Sequence, residues 1–440
     1  MRKIFYNSIL IFITAFLFLF APKPNIGNYC GSYIKLNKAM GFLVDCDSYQ
    51  YILLSMHPSQ LLDRDSVARR QNRPLYIVLT HVIGKPIEFT LFKIYHSSFG
   101  ERINFDKLLN SEKLLARLEI STHENKNKYS SAANNSELIL QMIAYYIAYL
   151  LLNFILLLAS LLVFKKLLQA LQIQSRIGEA LSVIIVVNTI VKGFFYSAHE
   201  QMFLFLTPIL IIYVLYQLVL MNNNRKIYGI SLLFGLACLM YGSFVLYLPA
   251  LFLLFLVEDK SVKNVISNVS NYFIHAVLFL SPTICWIVVC NKISGHYYNH
   301  EVEQFRELVW VIDTLKIGVL EFVKTFFYNI VYYLFFFVKA VVPFLIVFFV
   351  LLKKNKSFVL PEKYKQLNKV LVICIIVFSA FFALLGYYTY RLCFSSSIIV
   401  LVGIAAQLQL LIENKPENIS IYKRNLFVYL LVWCLIVFIF

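Results

Sequence analysis

The sequence predicts an all-α protein that crosses a membrane about eleven times, with one large loop after the first span. Of its 440 residues, 60% are hydrophobic and only 14% are charged, whereas about a quarter of the residues of a soluble domain are charged. Apolar runs of about 20 residues, the length that a helix needs to cross the hydrocarbon core, recur along the chain. The alternating pattern of an outer-membrane barrel is absent, which leaves membrane-spanning helices.

The excess of positive charge is interpreted as a topology signal. The formal net charge is +17, from 40 Lys and Arg against 23 Asp and Glu. A nucleic-acid-binding protein would concentrate such an excess on one soluble face. Here the basic residues are spread over short loops between apolar runs, as in loops that stay in the cytoplasm. We therefore expect a multi-pass membrane protein that binds no nucleic acid.

The first apolar run, residues 4–21, is interpreted as an uncleaved membrane span. Arg2 and Lys3 precede it and place the N-terminus in the cytoplasm. A cleaved signal peptide is the alternative interpretation. The run is long for a signal peptide, and no small-residue cleavage site precedes Pro22.

Later apolar runs give further spans, and the charges between them set the side on which each loop lies. The clear spans are residues 138–164, 180–198, 202–220, 271–290, 331–352, 370–390, 395–412 and 425–440. The run 228–257 fits either one long helix or a hairpin of two short spans that turns near Gly242. The hairpin keeps the six lysines of residues 353–369 in the cytoplasm and places the C-terminus outside. We therefore predict the hairpin.

Residues 22–137 form the largest predicted loop, on the outer side, and residues 138–440 hold the remaining spans of a single transmembrane domain. Within the loop, residues 74–83 carry apolar side chains at helical spacing, which predicts an amphipathic helix lying flat on the membrane surface. Residues 103–120 show a second helical pattern. By contrast, residues 121–137 form a polar linker.

The eight cysteines show no spacing typical of a metal site. Six of them lie in or beside apolar runs and are interpreted as packing residues. Cys30 and Cys46 lie instead in the first polar loop. If that loop faces an oxidising compartment, a disulfide and two free thiols are both compatible with the sequence.

The stretch VDCDSYQYILL places two acids, Asp45 and Asp47, early in the first loop. Tyr49, Ile52 and Leu53 follow with helical spacing, so we expect Asp47 at the N-terminus of a helix. A carboxylate there is a favoured helix cap, and acids in a loop are often simply solvated. A catalytic role therefore needs support from other parts of the chain.

Other charged groups fall on the same predicted side of the membrane. Arg70 and Arg73, in RQNRPLY, precede the amphipathic helix. His199 and Glu200 occupy a very short turn between two spans. Arg391, in TYRLCF, lies at the outer end of a late span. Charged groups at a membrane boundary often serve only as anchors, but several at one depth predict a polar cavity.

Four short elements carry a family resemblance. An acid follows the first span in the Asp-Ser-x-x-Tyr setting of residues 47–51, and an Arg-Pro-Leu-Tyr element, residues 73–76, opens a membrane-lying helix. Glu200 stands in an outer turn before a span. Tyr390-Arg391 is similar to a late Arg-Tyr element in reversed order. Together these elements resemble the GT-C superfamily of integral-membrane glycosyltransferases.

The resemblance implies an inverting glycosyltransferase that moves a sugar from a polyprenyl-phosphate-linked donor to a lipid, glycan or protein acceptor. It also implies a location in the bacterial inner (plasma) membrane, with the active site on the outer face. The triplet Asp45-Cys46-Asp47 departs from the Asp-Glu form of the aminoarabinose and protein-mannosyl branches. The sugar, the lipid carrier and the acceptor therefore stay open.

Glycosyl transfer passes through an oxocarbenium-like state, and a carboxylate can take the proton of the attacking hydroxyl. Asp47 is the first candidate for this base and Asp45 the second. The leaving phosphate needs a cation, for which Arg391 is the first candidate because arginine donates two hydrogen bonds to phosphate. The other candidate substrate-binding residues are Arg73, Arg70, Glu200, His199 and Tyr51. A divalent cation held by carboxylates is compatible with the site, but nothing in the sequence requires one.

His296 and His300 have the i, i+4 spacing of a helical metal pair, with Glu301 beside them. The apolar flanks of this loop favour two surface histidines instead.

Two other functions compete with the glycosyltransferase prediction. One is an envelope polysaccharide polymerase or ligase, whose main outer loop we expect late in the chain rather than first. The other is a transporter, although only one helix interruption is visible, with no partner in a second half.

Overall fold

The computed structural model describes residues 2–22, 31–45, 47–63, 70–97, 135–221, 227–258, 262–352, 361–386, 388–414 and 416–439. The predicted helix over 103–120 and the cysteines Cys30 and Cys46 lie outside these ranges.

Helices make up most of the described chain. In order they are α1 (Arg2–Phe18), α2 (Asp47–Met56), α3 (Pro74–Tyr95), α4 (Asn135–Ala170), α5 (Ser175–Val186), α6 (Thr189–Phe194), α7 (Phe203–Met221), α8 (Ile227–Cys238), α9 (Tyr247–Glu258), α10 (Val262–Ile293), α11 (His300–Phe305), α12 (Val309–Ile317), α13 (Val319–Leu352), α14 (Glu362–Leu385), α15 (Tyr390–Asn414) and α16 (Ile419–Ile439). Short 3-10 turns lie at Pro58–Leu62, Glu200–Met202, Gly242–Leu246 and Pro416–Asn418.

Eight of the described helices are long and apolar enough to cross a membrane, which agrees with an all-α, multi-pass membrane protein. These are α3, α4, α7, α10, α13, α14, α15 and α16. Helices α1, α8 and α9 are apolar but shorter. Helix α15 is the most deeply buried of the long helices and packs against α7, α13 and α14, so it forms the centre of the bundle. The finer count of eleven spans stays a prediction.

A β-hairpin, which the sequence patterns did not predict, leads into the first acidic residues. Strands β1 (Gly31–Lys35) and β2 (Gly41–Asp45) pair antiparallel, with Gly31 opposite Asp45. The amide of Gly41 donates to the carbonyl of Leu19 at 2.9 Å, so the hairpin is tied to the end of the first helical segment. Helix α2 follows the hairpin. Its first residue is Asp47, which agrees with the predicted helix N-terminus.

Helix α4 joins two parts of the bundle. Its 36 residues span about 54 Å at the usual helical rise, well beyond the hydrocarbon thickness of about 30 Å. Its N-terminal half packs on α3, where Gln141 donates to Glu88 at 3.0 Å. Its C-terminal half packs on α1, where Lys165 donates to Asn7 at 2.6 Å. The predicted helix over 74–83 is therefore only the first part of α3, which continues to Tyr95 along α4.

The predicted span over residues 180–198 is not one continuous helix, because the chain breaks there into α5 and α6. Val187 is extended, and Asn188 caps α6 by accepting from the amides of Ile190 and Val191 at 3.0 and 2.9 Å. Its side-chain amide also donates to Ile185, 2.9 Å away at the end of α5. Asn188 is fully buried, so one side chain satisfies backbone groups on both sides of the break.

The predicted hairpin over 228–257 is confirmed as a chain reversal. The rings of Phe234 in α8 and Tyr247 in α9 stack with centroids 4.2 Å apart, whereas a continuous helix would separate these residues by about 20 Å. The reversal follows Tyr241, whose backbone is extended. Both short helices pack on α10. Gly235 allows the close approach, since a Cβ there would lie 2.1 Å from the carbonyl oxygen of Phe279.

Candidate functional site

Charged side chains from four distant segments converge at one level of the bundle. We call this group the ion-pair cluster, and it consists of Asp47, Arg70, Arg73, His199, Glu200 and Glu301. Its members come from α2, the segment before α3, the turn between α6 and α7, and α11. Five of the six were candidates from the sequence.

Glu301 is the member of the cluster that the sequence did not select. Its carboxylate contacts Arg73, lies 3.8 Å from Arg70 and accepts a hydrogen bond from Asn72. Burial raises the pKa of this carboxyl, but the charges of Arg73 and Arg70 outweigh burial and hold it below its ordinary value. The fold places Glu301 here because Asn299 caps the short helix α11 and aims its first turn at the two arginines.

Asp47 is the most exposed carboxylate of the cluster. Its side chain is 31% exposed, against 18% for Glu301 and 2% for Glu200. Arg70 lies 2.5 Å from one carboxylate oxygen and His199 Nε2 lies 3.4 Å from the other. Burial raises the pKa of Asp47, but His199 and Arg70 together bring it well below its ordinary value. Asp47 is therefore ionised at neutral pH.

His199 bridges two carboxylates. Its Nε2 faces Asp47, and its Nδ1 lies 3.1 Å from Glu200, whose other oxygen contacts Arg73. The turn that carries both residues is fixed to α2, since Ser48 accepts the amide proton of Ala198 at 2.9 Å. The predicted convergence of the His199–Glu200 turn with Asp47 is thus present in the fold.

Tyr51 contacts both arginines of the cluster. Its side chain is fully buried, and its hydroxyl accepts a hydrogen bond from Arg73 at 2.8 Å. The guanidinium of Arg70 lies 5.2 Å from the centre of the Tyr51 ring. Tyr51 therefore holds the two arginines in position, and its burial keeps it out of direct reach of a ligand.

Arg391 lies beside the ion-pair cluster but belongs to no ion pair among the described residues. Its guanidinium sits 5.4 Å from the centre of the Phe194 ring, and its Nε is buried with no hydrogen-bond partner there. The charge of Arg391 acts on Tyr241 and on Glu307, which also feel the charge of Arg73. The Phe194 ring also lies 5.7 Å from the ring of His199, which places Arg391 next to the cluster.

The remaining sequence candidates lie at the edge of the site. Asp45 ends β2, and its side chain is outside the described part of the structure. His296 is exposed and precedes α11, so it forms no helical pair with His300. His300 is buried, and burial together with the charge of Arg70 lowers its pKa to about 4, so the expectation of a surface histidine is wrong for this residue. No group of three or more His, Cys, Asp or Glu side chains suited to a metal ion occurs among the described residues.

Comparison with models of known protein families, with curated proteins and with solved structures found no match.

Proposed function

We propose that this protein is an inverting membrane glycosyltransferase that uses a polyprenyl-phosphate-linked sugar donor. The acceptor is a lipid, glycan or protein hydroxyl, and the reaction takes place on the outer face of a bacterial plasma membrane. One observation carries the proposal: a buried ion-pair cluster inside a bundle of apolar helices leaves one carboxylate, Asp47, partly open and one arginine, Arg391, outside every described ion pair. Ionisable side chains that are buried and paired in this way are costly to keep charged, and they cluster at functional sites.

Asp47 is proposed as the residue that orients and deprotonates the acceptor hydroxyl. Its lowered pKa makes it a weak base, but it stays ionised and can accept the hydroxyl hydrogen bond. In an oxocarbenium-like transition state the attacking hydroxyl becomes acidic as the new bond forms, so a weak base is sufficient. The proton passes to the Asp47 carboxylate as the sugar is transferred.

Arg391 is proposed as the cation that binds the donor phosphate. The alternative candidates, Arg70 and Arg73, already contact carboxylates, so their positive charge is largely neutralised. The Phe194 ring holds the Arg391 guanidinium. A phosphate oxygen would accept from it as negative charge develops on the leaving group.

The other cluster members are proposed as positioning residues. Arg70 and His199 fix the two oxygens of Asp47, while Glu301, Glu200 and Tyr51 fix Arg70 and Arg73. Catalytic groups must be held close to the productive geometry, which a network of short polar contacts achieves.

Sugar transfer in membranes tests the proposal. Membranes with and without the protein are supplied with a panel of labelled polyprenyl-phosphate sugars, and transfer of the label to acceptor material is measured. We expect transfer from at least one donor with the wild-type protein and none with Arg391→Gln. Uptake of intact label into sealed vesicles without transfer would instead identify a transporter. Growth of chains from lipid-diphosphate repeat units would identify a polymerase.

A further inference from the structure

Helix α12 does not continue straight into the long helix α13 that follows it. The rings of Trp310 in α12 and Phe322 in α13 stack with their centroids 6.0 Å apart, whereas a continuous helix would separate these residues by about 18 Å along its axis. The chain turns at Gly318, whose φ of +155° is a conformation that favours glycine. Helix α12 therefore lies alongside the first turns of α13.

Hydrogen bonds fix α12 at the end of α14. Trp310 Nε1 donates to the carbonyl of Leu384 at 2.8 Å, and the amide of Leu308 donates to the carbonyl of Leu385 at 3.1 Å. The Trp310 ring also packs on Gly386, where a Cβ would lie only 2.5 Å from it. Leu385 is the last residue of α14, a helix long and apolar enough to cross a membrane. The end of such a helix marks a membrane boundary, so α12 lies at that boundary.

The side of α12 that faces away from the protein is apolar. Trp310 is buried, whereas Ile312 and Leu315, on the opposite side of the helix, are 56% and 48% exposed. A surface helix of a water-soluble protein carries charged and polar residues on this side. The exposed apolar surface, which we call the α12 face, consists of Leu308, Ile312, Leu315, Ile317, Val319 and Leu320. A contiguous exposed surface of this kind marks an interaction site.

The α12 face continues into the lipid-facing surface of α13. The exposed side chains of α13 include Val319, Val323, Phe327 and Val331. Their spacing of four residues places them in one stripe along the helix. Because α13 is long and apolar enough to cross a membrane, this stripe faces lipid chains. Val319 belongs to both surfaces, so the lipid that covers the stripe also reaches the α12 face.

Basic residues border the α12 face. Lys316 is exposed beside Leu315 and forms no ion pair with any of the described residues. A lysine next to an apolar surface can keep its methylene groups among apolar neighbours while its ammonium group reaches the lipid headgroups. An apolar helix face bordered by a lysine is typical of a helix that lies on a membrane surface.

We propose that α12 is an interfacial helix, whose α12 face inserts among the lipid chains just below the headgroups of the leaflet where α14 ends. Lys316 then lies at the level of the headgroups. Because Glu301 and Trp310 belong to one short stretch of chain, this membrane contact also holds the segment that brings Glu301 to the arginines of the ion-pair cluster. The contact does not require any catalytic activity of the cluster.

Fluorescence quenching in lipid nanodiscs tests this contact. Leu315→Cys is introduced into the full-length protein that lacks Cys30, Cys46 and the exposed Cys285, and is labelled with a small environment-sensitive fluorophore. The same protein without the added cysteine gives the background. We expect lipids with a nitroxide near the headgroup to quench the label more strongly than lipids with a nitroxide near the chain end. Aqueous iodide should quench it little.

Labels at other positions provide matched controls. A label at Glu303, an exposed residue of α11, should be quenched by iodide and not by the lipid nitroxides. A label at Val331, within the stripe of α13, should be quenched more by the chain-end nitroxide than the label at Leu315. A label at Lys316 should be more accessible to iodide than the label at Leu315. If Leu315→Cys does not fold, Ile312→Cys on the same face should give the result expected for Leu315.

Three results would overturn the proposal. Strong quenching of the Leu315 label by iodide would place the α12 face in water. Protection from both iodide and the lipid nitroxides would mean that another part of this chain, a second copy or another protein covers the face. Equal quenching of the Leu315 and Val331 labels by the chain-end nitroxide would place α12 inside the hydrocarbon core rather than at its surface.

Discussion

At the scale of single residues, the charged candidates fall into two groups. Asp47, Arg70, Arg73, His199 and Glu200 could be predicted from the sequence, because each interrupts or borders an apolar run. Glu301 could not, because it lies in a polar loop where several charged residues are equivalent until the fold brings one of them to the arginines. The sequence also could not show that Tyr51 is buried beneath the arginines, since burial there depends on α2 and α4 packing together.

Replacement of Asp47 by Asn separates a catalytic carboxylate from a structural one. Asn has nearly the same size and can occupy the first turn of α2, but it cannot take a proton. We expect sugar transfer to fall by about 10²–10⁴-fold, with the protein still folded by size-exclusion chromatography. Asp63→Asn, at an exposed position after α2, is the matched control. Near-full activity of Asp47→Asn with an inactive Asp45→Asn would move the base to Asp45.

Removal of the Glu301 carboxylate tests how the cluster is held together. Glu301→Ala removes one anion from beside two buried guanidinium groups. Arg70 still has its ion pair with Asp47, and Arg73 still has its ion pair with Glu200. Breaking a buried ion pair costs about 3–5 kcal/mol, and we expect the lower end of that range here. Thermal unfolding in detergent measures the effect, with Glu303→Ala on the same helix as the control. Equal melting temperatures for the two variants would contradict the role of Glu301.

At the scale of helices, local sequence predicted where most elements begin but not how far they extend. Pro74 and Asp47 start helices as expected, because proline and aspartate suit a first turn. The continuation of α3 to Tyr95 lies beyond the amphipathic stripe of residues 74–83 and packs along α4. Apolar length alone does not reveal the break at Asn188, whereas a polar residue in the middle of an apolar run is a signal for it.

Substitution of Asn188 tests the break between α5 and α6. Asn188→Ala removes a cap and leaves backbone groups of Ile185, Ile190 and Val191 without partners in an apolar region. We expect the free energy of unfolding to fall by about 2 kcal/mol. Asn291→Ala, at an exposed position near the end of α10, should change it much less. Equal unfolding free energies for the two variants would mean that other groups form hydrogen bonds with the backbone at the break.

At the scale of the whole molecule, the main question is which elements lie on the same side of the membrane. The described contacts bring α2, the start of α3, the turn between α6 and α7, and α11 to one level, in agreement with the predicted common side of their charged residues. Helix α3 is long enough to cross a membrane, although residues 22–137 were predicted to stay outside. The sequence could not settle this, because α3 carries both apolar length and an amphipathic start.

Cysteine labelling settles the side of each segment. Single cysteines at Ser97, Glu303 and Lys365 are introduced into a variant that lacks Cys30, Cys46 and the exposed Cys285. If residues 22–137 lie outside, an impermeant maleimide added to intact cells should label the first two positions and not the third. Labelling of Ser97 only after the cells are opened would make α3 a membrane span. Labelling of Lys365 in intact cells would contradict the cytoplasmic placement of 353–369.

The two polar residues at the α5–α6 break have different consequences for the order of assembly. Among the described residues, Asn188 bonds only to groups within four positions of itself, so the break can form as soon as this segment enters the bilayer during synthesis. Lys192 donates instead to the carbonyl of Val437, 245 residues later in the chain, at 2.9 Å. Its ammonium group therefore reaches this acceptor only when the last helix arrives. Insertion of α16 is thus the step that supplies the carbonyl acceptors of the Lys192 ammonium group, long after α6 has been synthesised.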